Sequence, residues 1–352
     1  MISARGVARA AVVAVMVMLA AGAARADTHA PWPTDWNNWN DPALWVPVGN
    51  PGNAPDTRYA TPGYGAVAYE YNIGKYEVTA GQYTAFLNAV AGVDTYALYN
   101  TDMSDTGLGS GIARTGGGTV GSPYTYSVAT AFTNRPVNYV SWGDAARFAN
   151  WLSNGQPTGD QGLTTTEDGA YYLNGATSIA PLLAVTRKAD WKWAITSEDE
   201  WYKAAHYDPT TGTYFDYPTS TNSEPGRDMT EATNPGNNAN YCDTDFGTYP
   251  IDSGMATTVA GEFELSHSPY GTFDQGGNVW EWNEAVIESY RGYRGGSWAD
   301  IVIGLEAAYR GGYYPTYESY YVGFRVSEVP EPATLSLLAL GGLAAILRRR
   351  GR

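Results

Sequence analysis

The chain has 352 residues, a formal net charge of -15, 14% aromatic residues and only 16% charged residues, with 41 glycines and a single cysteine. This acidic balance argues against a nucleic-acid backbone or an anionic membrane surface as partner, because both require a basic binding surface. The length and apolar content suit one large, loop-rich globular domain or two small ones.

The N-terminal residues 1–26 read as a secretory signal peptide. Arg5 and Arg9 precede an apolar run from Ala10 to Ala21, and a small-residue A-R-A site ends at Ala26. This order predicts export, with cleavage by signal peptidase before the following residue.

Cys242 is the only cysteine, so no disulfide can form within the exported chain. Its neighbours in N-A-N-Y-C-D-T-D-F are acidic, which disfavours the thiolate. We therefore expect a buried or incidental cysteine, with a reactive thiol as the alternative.

The first predicted element is a strand over residues 67–73. Val67, Tyr69, Tyr71 and Ile73 alternate with small or polar residues, as in a half-buried strand. Its apolar face should point to the core.

Three helices are predicted from their capping residues. Thr79 with Gln82 and Ser197 with Glu200 make capping boxes, and Ser141 stands before the second of the three apolar patterns. The residues expected on the buried faces of the three helices, in chain order, are Tyr83, Phe86, Leu87 and Val90, then Ala145, Phe148, Ala149 and Leu152, then Trp201, Ala204 and Ala205.

Long glycine-rich segments separate these elements. Residues 92–134 suggest a surface excursion with a hairpin at T-Y-S-V-A-T, and residues 207–246 suggest a second irregular stretch. No linker divides residues 27–327, so we expect a single domain over residues 27–328.

The C-terminal segment 329–352 has three parts in order. Pro330-Glu331-Pro332 precedes an apolar run over 333–347, shorter than the ~20 residues that span a bilayer comfortably, and a basic end follows. This arrangement resembles the PEP-CTERM sorting signal, which implies transient inner-membrane anchoring, cleavage by an exosortase and a cell-surface or extracellular location. The alternative is an ordinary weak membrane anchor.

Five sequence blocks in the middle of the chain carry a second resemblance. They are I-G-K-Y-E-V-T-A-G-Q-Y-T-A-F-L-N-A-V, R-P-V-N-Y-V-S-W-G-D-A-A-R-F-A-N-W-L, I-T-S-E-D-E-W-Y-K-A-A, Y-G-T-F-D-Q-G-G-N-V-W-E-W and Y-R-G-G-S-W with the later G-F-R-V. Over residues 67–326 they resemble the formylglycine-generating enzyme, or sulfatase-modifying factor, family. The resemblance implies a loop-rich α+β variant of the C-type lectin fold.

Active members of that family use copper bound by two cysteines to oxidise a cysteine of a client sulfatase. The matching positions here are Asp300 and Leu305. Neither side chain replaces a thiolate as a ligand of Cu(I), so copper is not expected. The resemblance therefore favours a protein without oxidase activity.

The block D-Q-G-G-N-V-W-E-W is the strongest candidate metal site. Asp274 and Glu281 are hard carboxylates, and the glycines between them allow the carbonyls of Gly277 and Val279 to converge, which suits calcium. Similar family members bind calcium at these positions. The alternative is structural: Asp274 caps a turn, and Glu281 pairs with an arginine such as Arg310.

The resemblance implies a second calcium site, formed by Asn240, Tyr241, Asp252 and Gly254. The spacing after Asp252 differs by about one residue from the family pattern. An Asx-rich turn is the alternative.

Aromatic and arginine residues inside the family blocks are expected to be structural. We predict core positions for Trp142, Trp151, Trp201, Trp280 and Trp282, and ion pairs for Arg294, Arg310 and Arg325. Five further tyrosines crowd a Gly- and Pro-containing loop, where ligand binding and packing are both open: Tyr313, Tyr314, Tyr317, Tyr320 and Tyr321.

The preferred function is a calcium-stabilised, non-catalytic surface module that binds an extracellular glycan or protein. One alternative is a formylglycine-generating oxidase that uses variant chemistry. Another is a hypervariable lectin-like receptor, which a neighbouring template repeat and reverse transcriptase gene would reveal.

Overall fold

The structure of the protein is a computed structural model that describes residues 35–230, 236–243, 251–252 and 254–329. The predicted signal peptide and the predicted apolar span at 333–347 lie outside these residues. Within the described part of the chain, no helix is long and apolar enough to cross a membrane.

The three predicted helices are confirmed, each with a capping box at its start. They are α1 (Ala80–Val90), α2 (Trp142–Ser153) and α4 (Glu198–His206). Thr79, Ser141 and Ser197 are the N-caps, because each side chain accepts from the third backbone amide of its helix. The short helix α3 (Ile179–Ala184) was not predicted, since it has no side-chain cap and spans less than two turns.

One sheet has four antiparallel strands in the order β1-β2-β12-β5. These strands are β1 (Trp45–Val48), β2 (Tyr71–Gly74), β5 (Trp193–Ile195) and β12 (Val326–Glu328). The sheet thus joins the first and last strands of the domain.

The strand predicted over residues 67–73 is wrong in its first half, since β2 begins only at Tyr71. Tyr69 is exposed and its hydroxyl donates to Glu200 Oε1 at 2.5 Å, so it ties a turn to α4 instead of facing the core. A long-range hydrogen bond therefore overrides the local alternation.

The second sheet has the order β10-β9-β8-β11 and positions the family blocks. Its strands are β8 (Trp280–Ile287), β9 (Tyr290–Arg294), β10 (Gly311–Tyr313) and β11 (Val322–Phe324). The β8 and β11 strands run parallel, with Glu281 opposite Gly323. This pairing brings the V-W-E-W and G-F-R-V sequences together.

Two small antiparallel pairs complete the strands. The first is β3 (Ile112–Thr115) with β4 (Thr125–Val128), and the second is β6 (Tyr207–Asp208) with β7 (Thr213–Tyr214). The T-Y-S-V sequence thus supplies one strand of the expected hairpin. Single 3₁₀ turns lie at Pro42–Leu44, Thr101–Ser104, Thr130–Phe132 and Val302–Leu305.

The segment 92–134 is only in part the surface excursion that its glycines suggested, because residues 115–123 are largely exposed whereas other parts of the segment enter the core. Leu98, Met103, Ile112 and Tyr126 are buried in the main hydrophobic core with α1 and α2. Their apolar area removed from water makes this segment part of the domain's stability.

The predicted core tryptophans are buried in the structure. Trp142 and Trp282 are completely inaccessible, and their indole N–H groups donate to the carbonyls of Asn283 and Val140, at 3.1 and 2.9 Å. Because these side chains are buried and their indole N–H groups are hydrogen-bonded, their role is to pack the core. Trp151, Trp201 and Trp280 are also buried.

Candidate functional site

The positions of the family's cysteine pair hold side chains committed to other contacts. Asp300 Oδ2 accepts from the indole of Trp280 at 2.7 Å and from the hydroxyl of Ser297, and burial raises the pKa of Asp300. Leu305 is 1% exposed and packs in a hydrophobic cluster with Tyr217 and Tyr241. A hydrogen-bonded carboxylate and a buried alkyl group do not fit Cu(I), which needs soft sulfur donors.

Cys242 is buried, as predicted, but it lies beside one of these positions. Its amide donates to the carbonyl of Asp300 at 2.7 Å, and its thiol contacts the carbonyl of Asp243 at 3.2 Å. Burial raises the pKa of the Cys242 thiol, with smaller effects from neighbouring charges. The site therefore contains a single cysteine, and burial disfavours its reactive thiolate form.

Glu281 is completely buried and forms an ion pair with Arg325. Its Oε1 accepts from Arg325 Nη2 at 2.7 Å, and its Oε2 accepts from Arg325 Nε at 2.9 Å and from the indole of Trp201 at 2.7 Å. The structural alternative was right that Glu281 pairs with an arginine, but the partner differs from the suggested Arg310. Arg310 and Arg294 both bind Glu198 instead.

Asp274 lies seven residues before Glu281 and has a left-handed backbone conformation with φ +60°. Its Oδ2 accepts from the amide of Gly261, while no partner of Oδ1 is found among the described residues. Burial raises the pKa of Asp274 to about 7; the Gly261 amide and Arg325 oppose the rise, and Glu281 adds to it. This carboxylate is therefore costly to keep charged without a nearby cation.

Glu77 is an acidic residue of this region that sequence reasoning missed. It is buried, its Oε1 accepts from Asn278 Nδ2 at 3.1 Å, and its Oε2 has no hydrogen-bond partner in the described structure. Burial raises the pKa of Glu77 well above its usual range, and the charges of Asp274 and Glu281 add to the effect, opposed by Arg325. The sequence offered one indication of its role, which is that Glu77 stands just before the N-cap of α1.

Glycine at position 277 is required by a close backbone approach. A Cβ there would lie 2.2 Å from the carbonyl oxygen of Asn240, and φ is +85°. The amide of Asn278 donates to that same carbonyl at 2.7 Å. The two segments predicted to bind calcium are therefore in contact.

Guanidinium groups bind two members of the second predicted calcium set. This set comprises Asn240, Tyr241, Asp252 and Gly254. The Tyr241 carbonyl accepts from Arg227 Nε at 2.7 Å, and Asp252 Oδ2 pairs with Arg135 at 2.5 Å. The exposed Gly254 has φ +79°, as in a turn. Because arginines already hold two of the oxygens, this set does not fit a cation.

The Asp274 region has the charge that a cation would balance. Three carboxylates, those of Glu77, Asp274 and Glu281, face one guanidinium, and one buried carboxylate oxygen lacks a donor. Within the described ranges, no three His, Cys, Asp or Glu side chains are grouped as metal ligands. A calcium ion here would need backbone carbonyls, such as those of Gly277 and Val279, to complete its shell of 6–8 oxygens.

A family model described as the sulfatase-modifying factor enzyme 1-like domain matches residues 12–329. The chain belongs to this family. A second model, for the PEP-CTERM protein-sorting motif, matches residues 328–350 and implies export and processing by an exosortase. No curated protein matches the chain.

Three solved structures resemble this sulfatase-modifying-factor domain. The crystal structure of CarF is 20% identical, with 82% of this chain and 98% of that chain covered and a TM-score of 0.48. Variable protein 1 of Treponema denticola is 17% identical, with 81% and 95% covered and a TM-score of 0.46. PvdO from Pseudomonas aeruginosa is 17% identical, with 81% and 94% covered and a TM-score of 0.43.

The family domain here is a single α+β domain, as predicted, and its described residues contain four helices. Its relation to C-type lectins stays a prediction.

The five tyrosines of the C-terminal loop pack against one another. Tyr313, Tyr314, Tyr317 and Tyr321 lie ring to ring, with 3.9 Å between the ring centroids of Tyr313 and Tyr317 and 2.6 Å between the hydroxyls of Tyr317 and Tyr321. Tyr313 and Tyr314 are each 39% exposed. Tyr320 packs edge-on against Tyr321, with 5.0 Å between the ring centroids, and also against Trp298. Tyr313 and Tyr314 are therefore the tyrosines of this loop that are most accessible to a ligand.

Proposed function

We propose that this member of the sulfatase-modifying factor family is a non-catalytic binding module for an extracellular glycan or protein. The observation that carries the proposal is the pair of side chains at the cysteine positions, Asp300 and Leu305. Both are integrated into hydrogen bonding and packing, so the scaffold is kept while the copper ligands are replaced.

We further propose that calcium stabilises the module at the Asp274 region. Asp274 and the carbonyls of Gly277 and Val279 would hold the ion. Glu281, the fourth predicted ligand, is bound through both carboxylate oxygens by Arg325 and by the Trp201 indole, so it would contribute negative charge near the ion. When bound, the ion would supply positive charge against the three neighbouring carboxylates. Its role is structural, because the excess negative charge lies in the interior and costs stability when unbalanced.

The exposed tyrosines support a recognition role. Tyr313 and Tyr314 are each 39% exposed, and their rings continue through Tyr317 to Tyr321, which are partly buried against the core. Preorganised tyrosine rings offer contact area and hydrogen bonds at a small entropic cost, which suits a sugar or peptide surface. The sorting motif supports display of this surface outside the cell.

The deciding experiment is a copper-binding and oxidation assay on the purified full-length protein. We expect no stoichiometric Cu(I) binding and no conversion of the cysteine in a C-x-P-x-R peptide to formylglycine under oxygen, as followed by mass spectrometry. An active formylglycine-generating enzyme assayed in parallel is the positive control. Steady turnover by this protein would overturn the binding-module proposal.

The second candidate is an oxidase with variant chemistry, which the contact of Cys242 with Asp300 favours. It predicts that any turnover depends on the thiol. Replacing Cys242 by Ser would abolish that turnover, whereas a binding module would keep its ligand affinity. The raised pKa of the Cys242 thiol weighs against this candidate, since the thiolate is the reactive form.

A further inference from the structure

A cavity of about 380 Å³ opens at the N-terminus of α2, apart from the Asp274 region and the cysteine positions. Its walls come from the segment after α1, the start of α2, the residues before α3 and the tyrosine loop. The main lining residues are Tyr96, Asp144, Arg147, Thr177, Thr316 and Glu318. This volume suits one small polar group or sugar ring.

Two carboxylates of the cavity keep oxygens available to a ligand. Asp144 is 3% exposed; its Oδ2 accepts from the amide and hydroxyl of Ser141, and no partner of Oδ1 occurs in the described part of the chain. Glu318 Oε2 accepts from Asn100 Nδ2, and its Oε1 likewise has no partner among the described residues. A buried, half-satisfied carboxylate facing a cavity calls for a donor.

The charges that line the cavity favour a cationic ligand, although the cavity lies at a helix N-terminus. The Ser141–Asp144 capping box already occupies the first turn, and the Gly143 amide contacts the Pro315 carbonyl at 3.4 Å. The one cation of the wall, Arg147, is held by Glu167 at 2.7 Å with both side chains buried. Negative charge is therefore what remains for a ligand, because the amides of the lining residues Ser141, Gly143 and Asp144 already donate within the protein.

The walls favour a hydroxylated ligand over an aliphatic one. Thr177 and Thr316 are exposed hydroxyl residues, and Tyr96 adds an aromatic wall whose ring carries the Arg147 guanidinium at 4.4 Å. The aliphatic lining residues are Leu182 and Ala97. They offer little apolar surface against which the four methylenes of a lysine side chain could pack.

We propose that this cavity binds the ammonium group of an amino sugar, held between Asp144 and Glu318 with the ring hydroxyls on the threonines. The inference rests on the proposed binding function and names its ligand class: a glycan with free, non-acetylated amines.

The electrostatics of the pair agree with this geometry. Burial raises the pKa of Glu318 to about 8, and the charge of Asp144 contributes to the rise. Burial also raises the pKa of Asp144 to about 6, opposed by its bonds to Ser141. An ammonium between the two carboxylates would relieve both desolvation and mutual repulsion.

The test is calorimetric titration of the purified full-length protein with a glucosamine hexamer, an N-acetylglucosamine hexamer and hexalysine. We expect the glucosamine hexamer to bind at least tenfold more tightly than either other probe, with affinity that falls as salt rises. Glu318→Gln should weaken its binding at least tenfold, since it removes one charge and keeps the shape. The exposed Glu288→Gln is the matched control and should bind as the wild type does.

Thr177→Trp is a second variant that fills the cavity without touching either carboxylate; it should also block binding. Equal affinity for the acetylated and free hexamers, or unchanged binding by both cavity variants, would overturn the inference. Hexalysine binding as tightly as the glucosamine hexamer would reassign the cavity to protein amines and overturn the amino-sugar class.

Failure of this inference is distinguishable from failure of the proposed function. If another glycan binds in a manner that depends on Tyr313 and Tyr314, the cavity assignment is wrong and the binding module stands. Oxidation of the C-x-P-x-R peptide would instead remove the proposed function itself.

Discussion

Glu281 and Arg325 form a completely buried two-point ion pair, with oxygen–nitrogen distances of 2.7 and 2.9 Å. The same guanidinium donates to the carbonyls of Gly74 and Phe273, each at 2.7 Å. The pair therefore ties strand β8 to strand β2 and to the segment just before Asp274, at the centre of the domain.

Glu281→Gln should lower the free energy of unfolding by about 3–5 kcal/mol, because it leaves a buried guanidinium without its counter-charge. Urea denaturation measures the effect. Lys188→Gln, which removes an exposed pair with Asp168, is the control and should cost at most about 1 kcal/mol. Similar losses of unfolding free energy in the two variants would show that the buried pair contributes no more to stability than an exposed pair does.

Removal of calcium should lower the melting temperature of the full-length protein by roughly 5 °C, and added calcium should restore it, because the ion binds only the folded state. Asp274→Asn should abolish this response, and asparagine tolerates the left-handed conformation at this position. Scanning calorimetry with and without a chelator provides the measurement.

Asp190→Asn, on an exposed residue, is the control for the calcium response and should retain it. A Glu281 variant is unsuitable here, since it also breaks the pair with Arg325. Identical melting curves of the wild type with chelator and with calcium would contradict the calcium proposal.

The stability of the wild type should fall relative to Glu318→Gln as the pH rises from about 5 to about 8. Burial and the charge of Asp144 raise the pKa of Glu318 from 4.5 to about 8, so the folded state holds this proton more tightly than the unfolded state. The stabilisation is complete below pH 4.5 and is lost as the pH passes through about 8. One proton sets an upper slope of about 1.4 kcal/mol per pH unit.

Urea titrations of both proteins at several pH values check this, and the difference between them isolates Glu318 from the other ionisable groups. The charged groups facing it are Asp144 and Arg147 on α2 and Asp94 and Asp102 on the segment after α1. A constant difference across this range would show that Glu318 has an ordinary pKa.

Tyr314→Ala should change the free energy of unfolding by less than about 1 kcal/mol, because the side chain is substantially exposed. Trp282→Ala, in the core, should cost about 3–5 kcal/mol. If the tyrosine loop binds a glycan, the Tyr314 variant should lose signal on a glycan array while it stays folded. A large stability loss from Tyr314→Ala would assign this tyrosine to packing.

In a host with exosortase, the mature protein should begin at Asp27 and lack the residues after about Pro332. In a strain without exosortase it should remain intact and membrane-bound through the short apolar run. Terminal mass spectrometry of both strains decides between them. Recovery of the complete tail from the surface fraction of wild-type cells would identify an ordinary anchor.

The sequence by itself determined the features that depend on neighbours a few residues apart. The capping boxes at Thr79, Ser141 and Ser197 reach only to the third residue of each helix, so their positions could be predicted. The sorting motif and the replaced cysteine pair are equally local, because they are defined by residue identity and spacing.

Only the tertiary structure decided which distant groups meet. Glu281 and Arg325 are 44 residues apart, and the parallel pairing of β8 with β11 joins them where the sequence suggested Arg310. The cavity needs Asp144 from a helix start and Glu318 from a loop 174 residues later. Such contacts depend on how the sheets and helices pack. Several arginines could pair with one buried glutamate, and the strand order and burial, not the local sequence spacing, determine which arginine does so.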